Sequence, residues 1–221
     1  MDISSERLAY WFLRLNGFLT QYNFVVHPEG ADQHGNYDQQ TEVDVIGVRF
    51  PHRRENRIKP MNDHSLFHGD ARLQLVLAET KSTRCTLNPS WREPAKQNMQ
   101  KVLSAVGVLP PDQVEAASAG LYEHGVWANG AQVSVRWVLF GMQPNKTLRD
   151  ALPNMPQLTW DREVLPFIFK RFYDYHLEKQ SHGQWDTDAK GLFKTVAEAG
   201  YDRDKFIELV RIDPKADDEN Q

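Results

Sequence analysis

The chain has 221 residues, 40% of them hydrophobic and 25% charged, which is enough apolar material for one large domain or for a domain with an appendage. A single cysteine, Cys85, excludes an internal disulfide and any cysteine-cluster zinc site. Apolar runs such as those at 137–140 and 167–169 fall far below the ~20 residues that a membrane-spanning helix needs.

Met1 runs directly into Asp2, Ser4, Ser5, Glu6 and Arg7, an order that is not that of a secretory signal. A reducing, cytoplasmic setting with no membrane partner is therefore expected. The net charge is −4, but its distribution matters more than its sum. The tail at 213–221 holds Asp213, Asp217, Asp218 and Glu219 against Lys215, whereas 49–59 holds Arg49, Arg53, Arg54, Arg57 and Lys59 against Glu55. A local cationic stretch is thus available to meet phosphate despite the acidic total.

In chain order, Ser4 or Ser5 caps a helix with Glu6 in its first turn; Leu8, Trp11 or Phe12, Leu15 and Leu19 then recur at helical spacing, so it is expected to reach about residue 19. Phe24, Val25 and Val26 read as a short strand, followed by a Gly-, Asp-, Asn- and Gln-rich loop at 28–40. Residues 42–50 alternate as a second strand, with Asp44, Ile46, Val48 and Phe50 on one face. Residues 51–70 form a polar, basic insertion without a period. In the third strand, 72–81, Leu73, Leu75, Leu77, Glu79 and Lys81 share a face. A helix follows Pro94, with Met99, Val102, Leu103 and Val106 on one side, and stops before Pro110 and Pro111. Residues 133–140 are apolar on both faces, as a central strand should be. Past Gly141, the stretches 161–179, 187–199 and 203–210 read as helices, with Gly200 as a C-cap. The expected division is a core at 1–145 with a hairpin insertion at 51–70, a helical C-terminal region at 146–212, and a flexible acidic tail at 213–221.

The chemistry is suggested by polar residues in apolar strands. Asp44 stands inside one, where a carboxylate is costly unless paired or bound to a cation, and Glu79 and Lys81 repeat the anomaly at the end of the next. Two such carboxylates can hold Mg²⁺ or Mn²⁺ through hard oxygen ligands while leaving positions for water and a phosphate. A metal so held serves phosphodiester hydrolysis, and a lysine beside it stabilises developing negative charge.

These residues resemble the PD-(D/E)xK nucleases, which include many restriction endonucleases, Holliday-junction resolvases and lambda-type exonucleases. The resemblance is carried by Glu6 on a first helix ending in Asn16, Gly17 and Phe18, by Asp44 within Glu42-Val43-Asp44-Val45, and by Glu79-Thr80-Lys81 closing a strand, and it spans residues 4–141. It implies an α/β, three-layer restriction-endonuclease-like core with a mixed central sheet flanked by helices. It further implies Asp44 and Glu79 as Mg²⁺ or Mn²⁺ ligands, the Thr80 carbonyl as a further ligand, Lys81 as the catalytic lysine and Glu6 as an auxiliary acid. The following helix would contribute Lys96, Gln97 or Lys101. The segment between Asp44 and Glu79 is longer than in compact members, and no proline precedes Asp44.

The expected function is metal-dependent hydrolysis of nucleic acid, DNA before RNA, with Arg53, Arg54, Arg57 and Lys96 as phosphate contacts. The alternative is a nuclease-like module without activity that binds nucleic acid or a protein. The resemblance also leaves open a homodimer, or a protein partner met through the helical region. His64 and His68 read as loop residues, Cys85 as incidental, and Trp160, Phe167, Phe169, Phe172, Tyr173 and Tyr175 as core rather than as base-stacking platforms.

Overall fold

A computed structural model describes residues 1–27, 30, 41–183 and 185–213. The chain starts with strand β1 (Asp2–Ser4) and helix α1 (Ser5–Leu15), whose first turn is capped by the Ser4 hydroxyl accepting from the Arg7 N–H. The helix stops four residues short of the expected end. Asn16 folds its side-chain amide back to the Phe12 carbonyl at 2.8 Å, and Gly17 takes φ +83°, a left-handed turn that favours glycine. Leu19, read as helical, instead opens β2 (Leu19–Val26) and is 69% exposed.

Strands β3 (Thr41–Arg49) and β4 (Leu73–Thr80) flank the insertion. Then come α2 (Asn98–Val106), α3 (Pro111–His124), β5 (Val126–Asn129) and β6 (Val133–Gly141). α3 escapes the sequence reading because Pro110 and Pro111, taken there as a stop, also serve as a start: proline fits the first helical position, whose N–H needs no partner. The chain continues through α4 (Lys146–Ala151), β7 (Gln157–Thr159), a π-helical turn (Trp160–Val164), α5 (Leu165–Asp174), α6 (His176–Lys179), α7 (Thr187–Glu198), α8 (Arg203–Leu209) and β8 (Arg211–Asp213). The helix expected at 161–179 is therefore three pieces. Gly200 does close α7, with φ +65° and the Tyr201 N–H reaching back to Val196. The acidic tail beyond residue 213 and most of the loop at 28–40 lie outside the described residues.

The molecule is a mixed α/β structure. Its main sheet has the order β2-β3-β4-β6-β5, with β7 beside β6; β4–β6 and β6–β7 pair parallel and the other pairs are antiparallel. α2 and α3, lying between β4 and β6 in the chain, cover one face, where Leu75, Leu77, Val135, Trp137 and Leu139 meet Met99, Leu103 and Leu121. α1, α5, α7 and α8 cover the other, where Val45, Val76, Ala78, Val138 and Phe140 meet Leu8, Phe12, Ile168 and Phe206. The helices past residue 160 thus share a core with α1. No helix among the described residues is long and apolar enough to cross a membrane.

The insertion is not a free basic loop. Asp63 pairs with Arg49, Arg53 and Arg171, and Glu55 with Arg53, Arg171 and Lys179. Arg171, 1% exposed, also donates to the carbonyls of Leu15 at 2.5 Å and Asn62 at 2.7 Å. Tyr175 donates to the Pro60 carbonyl, and His64 is half-buried against Phe12, Phe67 and Phe167. The network ties the insertion to α1, α5 and α6. Removing one member leaves charges without partners, so Arg171→Met is expected to cost about 3 kcal/mol in urea unfolding. A loss below about 1 kcal/mol would show that the network is dispensable.

Candidate active site

The β3–β4 register runs antiparallel from Arg49↔Gln74 to Val45↔Ala78, and β4 pairs parallel with β6 as far as Thr80↔Phe140. One end of the sheet therefore gathers the start of β3 with the ends of β4 and β6. One step beyond Val45↔Ala78 lie Asp44 and Glu79, on adjoining strands, each carrying a carboxylate that the surrounding apolar residues bury to 6% and 1% exposure. The structure thus brings together Asp44, Glu79, Thr80 and Lys81.

Asp44 bonds across the gap. Its Oδ2 accepts from the Thr80 main-chain N–H at 2.6 Å and from the Thr80 hydroxyl at 3.0 Å. With that hydroxyl donating to Asp44, the Ser5 hydroxyl, 3.1 Å away, donates to Thr80 Oγ1, which links the N-terminus of α1 to the strand ends. Glu6 follows Ser5 in the same turn and is half-buried. Glu79 Oε1 accepts from the indole N–H of Trp91 at 2.6 Å, whereas its Oε2 is buried and meets no partner among the described residues. Lys81, half-buried, just past β4, gives its N–H to Phe140 at 2.9 Å and takes a bond on its carbonyl from the Trp160 indole at 2.9 Å.

The electrostatics follow from burial. Desolvation pushes the Asp44 carboxyl above its usual range, although Lys81 and the two Thr80 bonds pull it down. Burial pushes Glu79 well above its usual range, and the Asp44 charge pushes further; Lys81 and the Trp91 bond act against both without cancelling them. Glu42 adds its charge to the repulsion on each.

The other expected residues are placed elsewhere. The insertion joins the far ends of β3 and β4, roughly 17 Å from Asp44 along five residues of strand. Arg53 is not exposed as expected, because Glu55 and Asp63 engage it under Gly17; Arg54 and Arg57 are exposed but stand at that same far end. Lys96 lies on the site's side of the fold, exposed and paired with Glu93 at 3.0 Å, in the turn before α2 rather than on it. Gln97 takes a left-handed φ of +57° at the start of α2, and Lys101 lines an open groove of about 560 Å³ with His27, Gln97, Gln100 and Glu115. Cys85 is buried, with its thiol pushed up to about 11, so it is no nucleophile near neutrality.

Sequence reasoning missed Ser5, Glu42, Trp91 and the bond from Trp160. Trp160 was read only as core, which it also is, stacked 5.5 Å from Phe140. Among the described residues no three His, Cys, Asp or Glu side chains gather into a metal-holding group. A cation here would rest on two carboxylates and a main-chain oxygen, with water completing the sphere. The donor set fits a hard divalent ion, since all its donors are oxygens, two of them from carboxylates, and one, Glu79 Oε2, is buried without a partner among the described residues. Comparison with protein-family models, with curated proteins and with solved structures finds no match to this chain.

The Glu79 shift fixes a sign. A carboxyl whose folded-state pKa is raised contributes stability that is fully present below its unfolded value of about 4.5 and is lost as pH climbs through the folded value. Glu79→Gln, which keeps an oxygen for Trp91, is expected to melt above the wild type in EDTA, by a margin that widens from acidic to alkaline pH. A variant that melts below the wild type at every pH would mean that the charged form is favoured in the fold.

Proposed function

We propose that this chain is a Mg²⁺- or Mn²⁺-dependent nuclease that hydrolyses phosphodiester bonds in DNA, on a restriction-endonuclease-like core of the PD-(D/E)xK type. The observation that carries the reading is a pair of buried carboxylates on adjoining strands, one with an oxygen that has no partner among the described residues, beside a lysine. Burying two carboxyls, each pushed above its usual range by desolvation and Glu79 further by the Asp44 charge, is costly unless something binds between them.

On this reading Asp44, Glu79 and the Thr80 carbonyl hold the cation. A bound divalent ion supplies Lewis-acid stabilisation of the phosphate and a bound water of lowered pKa. The chain's own residues do the rest. Thr80 and Ser5 fix the Asp44 carboxylate and Trp91 fixes Glu79. Lys81, whose charge already acts on both carboxylates, orients the attacking water and offsets charge developing on the phosphate oxygens. Glu6, next to Ser5 in the first turn of α1, is the auxiliary acid on this reading. Lys96 and the groove along Lys101 are better placed for phosphate contacts than Arg54 and Arg57, which a long substrate would reach only across the molecule. DNA is chosen over RNA on the resemblance of the motif, and the assay below includes both.

The test incubates the protein with supercoiled plasmid, linear duplex, single-stranded DNA and RNA in Mg²⁺, Mn²⁺ or EDTA. Cleavage is expected with either ion, none in EDTA, and a fall of at least about a hundredfold in Asp44→Ala and Lys81→Ala. Cleavage of none of these substrates, or cleavage indifferent to both substitutions, would overturn the proposal in favour of a binding module.

A further inference from the structure

Resting on the nuclease reading, we propose that Trp91 is a positioning residue that makes Glu79 a one-oxygen ligand and thereby sets the site's preference for Mg²⁺ or Mn²⁺ over Ca²⁺. The indole N–H takes one lone pair of Oε1 at 2.6 Å and holds that oxygen to the protein, so the oxygen wholly open to a cation is Oε2, buried and without a partner among the described residues. Six-coordinate ions at short distances accept single oxygens, whereas Ca²⁺ draws on two-oxygen carboxylates and a larger, looser set.

Trp91 is fixed by features that owe nothing to Glu79. It is 1% exposed and packs edge-to-face on Trp137, ring centres 5.6 Å apart. It ends the short turn Pro89–Trp91, in which its N–H bonds the Asn88 carbonyl at 3.0 Å and the Ser90 carbonyl accepts from Asn98 at the start of α2 at 2.8 Å. The donor is therefore in place before any ligand arrives. On the neighbouring strand, Thr80 occupies Asp44 Oδ2 in the same way. Each carboxylate has one oxygen tied to the protein by a donor that a neighbouring element holds still. A buried indole N–H needs some acceptor in any fold, and a main-chain carbonyl would satisfy it. A carboxylate in that place is the costlier choice, and cation selectivity is what it supplies.

The experiment titrates Mn²⁺ and Ca²⁺ calorimetrically into the wild-type chain, Trp91→Phe and Glu79→Gln, with thermal unfolding in parallel. The wild type is expected to bind Mn²⁺ far more tightly than Ca²⁺, and Glu79→Gln to bind neither measurably. Trp91→Phe should lose ten- to a hundredfold in Mn²⁺ affinity and less in Ca²⁺ affinity, so that the Mn²⁺/Ca²⁺ ratio collapses. A role in packing alone would lower the melting temperature and leave that ratio unchanged. Should the phenylalanine variant fail to fold, 3-benzothienylalanine at position 91 keeps the ring shape and removes only the N–H. A folded variant with the wild-type ratio overturns the role of Trp91 and leaves the nuclease reading standing. A wild type that takes up no Mn²⁺ overturns both.

Discussion

The bond from the Thr80 main-chain N–H to the Asp44 carboxylate joins β3 to β4 where their register ends, and the rest of the site depends on it. A side chain spans the strands there, so the carboxylate is held inward rather than turned to solvent. It lies beside Glu79 for the same reason. The bond also aims the Thr80 hydroxyl, which carries the connection on to Ser5 and the first turn of α1. With both Thr80 bonds and the Lys81 charge acting to lower it, the Asp44 carboxyl still lies above its usual range, because desolvation outweighs them. The Thr80 bonds and Lys81 therefore do not offset the burial of Asp44 by themselves. On the proposed function, the remainder falls to a divalent cation.

α1 is the strut between this end of the molecule and the other. At its start β1 pairs in parallel with β8, Ser4 caps the helix, and Ser5 meets Thr80. At its end Asn16 closes the last turn, and Arg171 binds the Leu15 carbonyl from α5. Arg171 belongs to the ionic network that docks the insertion, so the network and the site act on the same helix. Buried ion pairs are weak sources of stability, but they define geometry, because each charge tolerates few alternative surroundings. Here the network meets the last turn of α1 at the Leu15 carbonyl, and Ser5 in its first turn meets Thr80. Two of the five cations at 49–59, conspicuous in the sequence as a phosphate-binding stretch, are spent on this network. Arg49 and Arg53 answer Asp63 and Glu55, two acids that the loop itself supplies.

Features with a period were legible in the sequence, as were the polar residues that broke one. β3, β4 and β6 followed from alternation or apolar runs, and Asp44, Glu79 and Lys81 stood out against those runs. The joining of Asp44 to Glu79 was a consequence of strand order that the motif already implied. The ends of elements were less legible. Leu19 continued the spacing of α1, but Asn16 and Gly17 ended it, and local turn chemistry prevailed over period. α3 was hidden by a proline pair that both stops and starts helices, and β1 and β8 are three-residue strands too short to show any period. The pairing of Arg53 with Glu55 and Asp63 was not legible, because a charge run does not reveal where its counterions come from. Trp91 carried no signal at all: a tryptophan twelve residues after Glu79, in a turn opened by Pro89, reads as a hydrophobic residue in a loop.

Two tryptophans grip the 79–81 segment from opposite layers. Trp91 comes from the cluster under α2 and α3 and bonds Glu79; Trp160 comes from the cluster under α1 and α5 and bonds the Lys81 carbonyl. Each is almost wholly buried, so its position is set by packing, and each spends its single donor on the strand end. Indoles suit this task because they bring a large buried surface that resists displacement and a polar atom at one edge. A site that stabilises charge must not reorganise when that charge appears, and rigid donors already in place meet that condition better than mobile side chains. The apolar layers on either face of the sheet, which could have been only the filling of the fold, thus also fix the position of the residues to which the proposed chemistry is assigned.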